Sequence, residues 1–231
     1  VNGLLLIDKP IGWTSFDVVN YVRRIVADSE GKKPKQVKVG HAGTLDPFAS
    51  GLLILLIGKQ YTRRAQELSK LDKTYEVTMR LGITSDTGDV EGSLSDVSQA
   101  EPSLETLGAA ICKFQGEIKQ IPPIYSAIKI NGQRAYKLAR SGQVFEMPPR
   151  QVTVYKLELV NYEYPHLKLL ARVSSGTYIR SLVEDIGKEL GVGAYTTQLK
   201  RTLIAEYDVK MAVSPKSLTA SKLEESSEII K

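Results

Sequence analysis

The sequence predicts an α+β protein built on a mixed, largely antiparallel sheet flanked by helices. Two kinds of strand signal lead to this: the unbroken apolar run Leu52 to Ile57, and the strict alternation of Tyr75, Val77, Met79 and Leu81 with Glu76, Thr78 and Arg80. Helical periodicity appears in separate stretches, and Asn131-Gly132 is a strong two-residue hairpin signal. Strands and helices therefore interleave irregularly, unlike a regular βαβ series. At 231 residues the chain can bury most of its apolar surface without staples, and no repeat or low-complexity linker divides it. A single domain is expected over residues 1–231, with a core of about 2–210 and a tail over 211–231.

Gly3 to Ile7 forms a short apolar strand ending at Asp8-Lys9-Pro10. Thr14 caps a helix with Asp17 three residues on, and Phe16, Val19, Val22 and Val26 recur at helical spacing. Asp28 to Gln36 is polar and rich in Lys and Gly, a surface loop. Leu52 to Ile57 is a strand buried on both faces, and Tyr61 to Leu71 a short basic helix. After the half-buried strand that begins at Tyr75, Ser85 to Asp96 is an acidic, turn-rich stretch. Ser103 caps a helix with Leu104, Leu107, Ile111 and Phe114 on its apolar face, ended by Gly116. Pro122-Pro123 break the chain before the hairpin, which joins Tyr125–Ile130 to a basic segment beginning at Gln133. Further strands are expected at Val152 to Tyr162 and Leu167 to Val173. A helix over about Thr177 to Leu190 carries Ile179, Leu182, Val183, Ile186 and Leu190 on one face, with Gly191 at its end. A last strand region spans Thr196 to Val209, and the tail from Ser214 is polar with a weak helical pattern.

Composition excludes several function classes. Apolar content of 42% and charged content of 25% are those of an ordinary globular protein. The single Cys112 rules out an internal disulfide, and with only His41 and His166 beside it a Cys/His zinc site is out of reach. Lying in an apolar helical stretch, Cys112 is expected to be buried and inert. The longest apolar run has six residues, against the roughly 18 of a membrane span, so a cytoplasmic protein is expected with no membrane partner. Gly51 to Lys59 has a glycine-lysine pair, but the spacing and Gln60 fail as a phosphate loop, and no GxGxxG follows a strand. Asp86, Asp89 and Glu91 have the wrong spacing for a calcium loop and fit a solvated acidic turn. No Ser-centred elbow supports a hydrolase triad.

The candidate for chemistry is the segment Gly40-His41-Ala42-Gly43-Thr44-Leu45-Asp46-Pro47, closed by Gly51, just before the most apolar run. Its glycines admit conformations closed to other residues, and Pro47 biases Asp46 toward an extended or turn shape. Asp46 is thereby presented on a turn, suited to acid/base or nucleophilic work, although an Asp-Pro step also opens ordinary structural turns.

The formal net charge is +5 with a pI near 9.1. Basic residues gather at Lys32, Lys33, Lys35 and Lys38; at Lys59, Arg63 and Arg64; from Lys129 through Arg134, Lys137 and Arg140 to Arg150; and at Lys200 and Arg201. Interleaved with Tyr125, Tyr136 and Tyr155, these clusters suit a nucleic acid with exposed bases, or equally a solvated surface.

The residues carry a family resemblance from end to end. Leu6-Ile7-Asp8-Lys9-Pro10 is followed by Gly12, Thr14 and Ser15, then Gly40-His41 through Thr44-Leu45-Asp46-Pro47 to Ser50-Gly51, then Lys73-Thr74-Tyr75. Gly82 and Thr84 lead to Asp89; Pro122-Pro123 to Tyr125-Ser126-Ala127 and Lys129; and Gly132 to Tyr136, Ala139 and Arg140. Gly176-Thr177-Tyr178-Ile179-Arg180 and Leu199-Lys200-Arg201 complete the set. Over about residues 2 to 210 the chain closely resembles the TruB family of tRNA pseudouridine synthases, the bacterial enzymes that isomerise uridine 55 in the T loop. Typical members continue into a small RNA-binding domain of the PUA type, and this sequence stops before one would fit.

The resemblance implies the pseudouridine synthase catalytic fold with an RNA-gripping hairpin/helix insertion. It implies tRNA, through its T arm, as partner, with no obligate protein partner and a monomer as the default. The isomerisation has no redox or hydrolytic step, so it implies no cofactor and no metal. Asp46 matches the catalytic carboxylate, and Arg180 the arginine that pairs with it; helical spacing alone would pair Arg180 with Glu184 on an exposed face. Tyr75 matches the tyrosine that packs on the target uracil, although its alternation pattern fits a core tyrosine equally. His41 matches the histidine that fills the space left by the flipped uridine, while read alone it is a turn histidine. Tyr178 and Leu199 match residues that contact the uracil. Lys9-Pro10 matches structural support, and Lys59, Arg63, Arg64, Lys129, Arg134, Lys137 and Arg140 are the expected RNA-binding cations. Two rival roles share these features: a tRNA-folding module in which catalysis is secondary, and the guide-RNA-directed relatives of archaea and eukaryotes.

Overall fold

The computed structural model describes residues 1–126, 128–130, 132–220 and 223; Ala127, Asn131 of the predicted hairpin turn and most of the tail after residue 220 lie outside the described residues. In chain order the elements are β1 (Gly3–Lys9), α1 (Ser15–Ser29), β2 (Val39–Ala42), β3 (Ser50–Ile57), α2 (Lys59–Thr62), α3 (Ala65–Ser69), β4 (Lys73–Leu81), β5 (Ile83–Ser85) and β6 (Leu94–Asp96). Then come α4 (Leu104–Lys113), β7 (Gly116–Gln120), β8 (Lys129–Ile130), β9 (Gln133–Arg134), α5 (Ala135–Arg140), β10 (Arg150–Glu163), β11 (His166–Val173), α6 (Ile179–Glu189), β12 (Ala194–Ile204) and β13 (Tyr207–Asp208). The elements fall into two compact units, Val1–Tyr75 with Leu199–Lys231, and Glu76–Gln198; β4 and β12 each run through both. Among the described residues no helix is long and apolar enough to cross a membrane.

In the first unit β1 and β3 pair antiparallel along their whole length, from Gly3 opposite Ile57 to Lys9 opposite Gly51. Their side chains sort by alternation into two clusters. Leu5, Ile7, Leu53, Leu55 and Ile57 pack with Val18, Val19, Val22 and Val26 of α1, while Leu4, Leu6, Leu52, Ile54 and Leu56 pack with Leu68 and Ile204. Covered on both faces, these strands read as unbroken apolar runs. Along its other edge β3 pairs parallel with β12 at Ser50 and Gly51, then antiparallel with β2 from Ile54 to Ile57, so the sheet is mixed as expected. Thr14 caps α1 through a capping box: its hydroxyl oxygen accepts from the Asp17 N–H at 3.0 Å, and its own N–H donates to the Asp17 carboxylate at 2.8 Å.

In the second unit the strands run in the order β4-β11-β10-β7, with antiparallel ladders between β10 and β11 and between β10 and β7. The Glu76–Leu81 part of β4 keeps the alternation of buried and half-buried residues read from the sequence. Two small ladders stand beside it, β5 with β6 and β8 with β9, the latter bracketing the predicted hairpin turn. Ser103 caps α4 as expected, accepting from the Thr106 N–H at 3.2 Å.

Several expectations are corrected. Phe16 is 59% exposed, because the buried stripe of α1 runs through Val18, Val19, Val22 and Val26 and Phe16 lies about 100° around the helix from it. On α4 the stripe is Leu107, Ala110 and Ile111, which leaves Leu104 63% exposed and turns Cys112 out to solvent. The helix expected over Tyr61–Leu71 is two short helices, and the loop from Asp28 is helical to Ser29 with a 3₁₀ turn over Pro34–Gln36. Of the described residues in Tyr125–Ile130 only Lys129–Ile130 is strand. The short strands β2, β5, β6 and β7 carried no periodicity long enough to read. Beyond β13 the chain makes 3₁₀ turns at Val209–Met211 and Pro215–Ser217.

Candidate active site

The Asp46 turn lies in the first unit and is held from three sides by buried polar side chains. Leu45, its neighbour, donates its N–H to Ser15 Oγ at 2.9 Å, and the Ser15 hydroxyl donates back to the Leu45 carbonyl at 3.1 Å. Lys9, at the end of β1, donates to the carbonyls of Trp13 at 2.7 Å, Pro10 at 3.0 Å and Pro47 at 3.3 Å, tying the loop after β1 to the residue following Asp46. Arg201, 1% exposed, donates from Nη2 to the Gly43 carbonyl at 2.9 Å, from Nη1 to Thr44 at 3.5 Å and from Nε to Leu52 at 2.8 Å. Its fork fills the gap where β3 changes partner from β12 to β2, satisfying carbonyls that neither ladder takes. Gly51 permits the close approach of β3 to β12: its φ is +102°, and a Cβ there would stand 2.3 Å from the Arg201 carbonyl oxygen. Within the turn Ala49 N–H donates to the Asp46 carbonyl at 3.1 Å, and the Asp46 side chain is half-buried.

Three more predicted residues belong to this unit. His41 sits on β2 opposite Leu55, a strand position where the sequence suggested a turn. Burial first and the Arg201 charge second hold its imidazole below the ordinary histidine range, and its buried Nδ1 finds no partner among the described residues. Tyr75 on β4 and Leu199 on β12 are both buried. Lys73, two residues before Tyr75, is buried as well and donates to the Ser69 carbonyl at 2.6 Å. Burial, then the Arg201 charge, push its ammonium down to about 8.

Tyr178 and Arg180 lie in the second unit at the start of α6. Arg180 is 4% exposed, which overturns the exposed-face pairing that helical spacing allowed. Its Nη1 stands 3.2 Å from the Asp89 carboxylate and donates to the Thr87 carbonyl at 2.8 Å, and Nη2 donates to the Tyr125 carbonyl at 3.1 Å. Asp89 is a buried ion-pair partner and not part of a solvated acidic turn; its carboxylate also accepts from Thr87 Oγ1 at 2.7 Å and the Glu91 N–H at 3.0 Å. Glu184, one turn along α6, has its carboxyl raised to about 7 by burial, against the lowering pull of Arg180. Gln120 at the end of β7 grips the main chain of Tyr178 with both ends of its amide.

The expected RNA-binding cations are all exposed. Lys59, Arg63 and Arg64 surround α2 and α3, Arg64 being bonded to Glu67 at 3.1 Å. Lys129, Arg134, Lys137 and Arg140 line the hairpin and α5, with Arg140 6.0 Å over the Tyr136 ring. Arg201 is the correction to the basic clusters: its guanidinium is consumed by carbonyls inside the fold, so of that pair only Lys200 faces solvent. Ser15, Lys73, Asp89 and Gln120 were missed as working residues. A short polar side chain near a turn has no periodic signature, and partners such as Arg201 and Leu52 stand 149 residues apart in sequence.

The fold first defines a class. The structure aligns with a chain of a Cbf5–Nop10–Gar1 complex at a TM-score of 0.71 and 28% identity, and with a chain of an archaeal box H/ACA Nop10–Cbf5 complex at 0.69 and 27%. These alignments cover 99% and 97% of this chain but only 57% and 55% of those, so it spans a little over half their length. A structure named pseudouridylate synthase shares the fold at a TM-score of 0.50 and 18% identity. The fold is that of pseudouridine synthases.

Sequence similarity narrows the class. Residues 31–179 match the model of the TruB family pseudouridylate synthase N-terminal domain, and residues 180–230 that of the tRNA pseudouridylate synthase B C-terminal domain. A protein of Azoarcus sp. (strain BH72) named tRNA pseudouridine synthase B is 43% identical over 96% of this chain and 71% of its own length. One of the same name from Aquifex aeolicus (strain VF5) is 44% identical over 96% of this chain and 75% of its own length. The chain belongs to the TruB family of pseudouridylate synthases.

Proposed function

We propose that this protein isomerises uridine 55 in the T loop of tRNA to pseudouridine, with Asp46 as the catalytic carboxylate, Tyr75, Tyr178, Arg180 and Leu199 as residues that bind the target uridine, and His41 filling the space that the flipped uridine leaves in the loop. The observation that carries this is the Asp46 turn: a carboxylate on a loop whose neighbours are fixed by Ser15, Lys9 and Arg201. A reacting group that must meet one atom of a flipped nucleotide needs such a rigid mount.

The reaction breaks the bond from ribose C1′ to N1, turns the freed uracil and joins C5 to C1′; the C5 proton leaves and N1 gains one, so the product is an isomer. A carboxylate near C1′ serves by adding to it, by stabilising positive charge there, or by removing a C2′ proton to give a glycal. Stacking of the base on the Tyr75 ring contributes about 1 to 3 kcal/mol, offsetting much of the unstacking on flipping. Lys59, Arg63, Arg64 and the cations from Lys129 to Arg140 grip the phosphates, so binding weakens steeply with salt.

Identity of 43–44% to proteins named tRNA pseudouridine synthase B supports tRNA as the substrate. The test is to incubate the protein with a T-arm hairpin of about 17 nucleotides and map pseudouridine by chemical adduct and reverse transcription. Conversion of the loop uridine without a guide, lost in Asp46→Asn with RNA binding retained, is the expected result. Binding without conversion would favour the tRNA-folding role, and an active Asp46→Asn protein would remove Asp46 from the chemistry.

A further inference from the structure

Gln120 is 1% exposed, and its amide spans the main chain of one residue: Nε2 donates to the Tyr178 carbonyl at 3.0 Å, while the Tyr178 N–H donates to Oε1 at 2.8 Å. An amide used in this way imitates a neighbouring strand and fixes the peptide planes on both sides of Tyr178. Tyr178 stands immediately before α6, at φ −97° and ψ 110°, where the chain changes from extended to helical, and its own side chain makes no cap hydrogen bond. Two further bonds tie the same segments together: the Ser181 hydroxyl donates to the Ile121 carbonyl at 2.9 Å, and Arg180 Nη2 to the Tyr125 carbonyl. The half-buried Tyr178 side chain packs against Ile128, Ala135 and Met147, next to the basic hairpin and α5. Packing alone would be met by an apolar side chain at Gln120; the paired amide bonds add direction.

We infer that Gln120 is a positioning residue for pseudouridine formation: by holding the main chain of Tyr178 it sets where the Tyr178 ring meets the target base. The inference rests on the proposed function, in which Tyr178 contacts the uracil. A ring displaced by about 1 Å lowers the chemical rate by about 10²-fold while leaving the phosphate grip intact.

Single-turnover rates at saturating T-arm hairpin, RNA affinity and thermal midpoint are measured for Gln120→Met, Gln120→Glu, Tyr178→Ala and the double variant of Gln120→Met with Tyr178→Ala. Gln120→Met is expected to slow the rate by about 10²-fold with affinity within about three-fold of the parent. Gln120→Glu keeps the acceptor for the Tyr178 N–H but sets a carboxylate oxygen against the Tyr178 carbonyl oxygen in place of the donor, so it too is expected to slow the rate. In the Tyr178→Ala background Gln120→Met adds no further loss, because the two act as a unit. Losses that multiply in the double variant, or a parental rate in Gln120→Met, overturn the inference, as does failure of both Gln120 variants to fold. If the parent protein itself leaves the hairpin uridine unconverted, the proposed function fails first, separately from any Gln120 result, and the inference falls with it.

Discussion

Ser15 and Leu45 exchange two hydrogen bonds, one in each direction, between the first turn of α1 and the residue preceding Asp46. Both residues are buried, so water cannot replace either bond. Ser15→Ala leaves a buried N–H and a buried carbonyl unpaired, and is expected to lower the unfolding free energy by about 1–3 kcal/mol. The loosened turn also slows pseudouridine formation at saturating RNA. Urea unfolding alongside single-turnover kinetics checks both, and a fully active Ser15→Ala protein would show that Asp46 does not depend on this anchor.

Arg201 links the strand switch in β3 to the start of the Asp46 turn and is also a charge beside His41. Arg201→Met removes the donors to Gly43, Thr44 and Leu52, and is expected to destabilise the fold on the order of 3 kcal/mol. His41 is held low by burial and, second, by this charge. Its titration, followed by imidazole NMR, therefore moves upward in Arg201→Met but stays below the ordinary range, because burial persists. An unmoved His41 would show that Arg201 acts on the turn through hydrogen bonds alone.

Lys73 gives stability a rising limb in alkali. Its native value of about 8 lies below the 10.5 of an unhindered lysine, so between these pH values the unfolded chain binds more protons than the native one. Stability contributed by this group then increases as pH rises from about 8 to 10.5, by up to about 3 kcal/mol, and is flat below that window. Chemical denaturation across pH 7 to 11 should show the rise in the parent protein and lose it in Lys73→Met.

Glu184 gives the opposite slope at lower pH. Its native value of about 7 lies above the ordinary 4.5, so the native state holds the extra proton and stability falls as pH rises from about 4.5 to 7. Its carboxyl lies against Gly88, where a Cβ would stand 2.5 Å from Oε1. Glu184→Gln keeps the shape without the charge and is expected to stabilise the protein by about 1–3 kcal/mol at pH 8, with little change at pH 4. Equal effects at both pH values would show that the Glu184 carboxyl binds its proton alike in the native and unfolded chains, with no raised native value.

The sequence alone determined whatever is written in neighbouring residues. Leu52 to Ile57 reads as a strand covered on both faces because six consecutive apolar side chains must all find cover. The alternation along β4 and the Thr14–Asp17 cap are equally local. The family, and with it Asp46 as the residue to test, was legible because its blocks recur in order along the chain. The tertiary structure alone decided which polar groups lose water and what replaces it. Arg201 counted as one more surface cation until β3, β12 and the Asp46 turn closed around it, and Asp89 as a solvated acid until Arg180 came to lie beside it. Cys112 and Phe16 went the other way, since a helix buries whichever stripe its neighbours cover. Gln120 left no sequence signal, because the carbonyl and N–H it satisfies belong to a residue 58 positions away, and only folding brings them within hydrogen-bond reach.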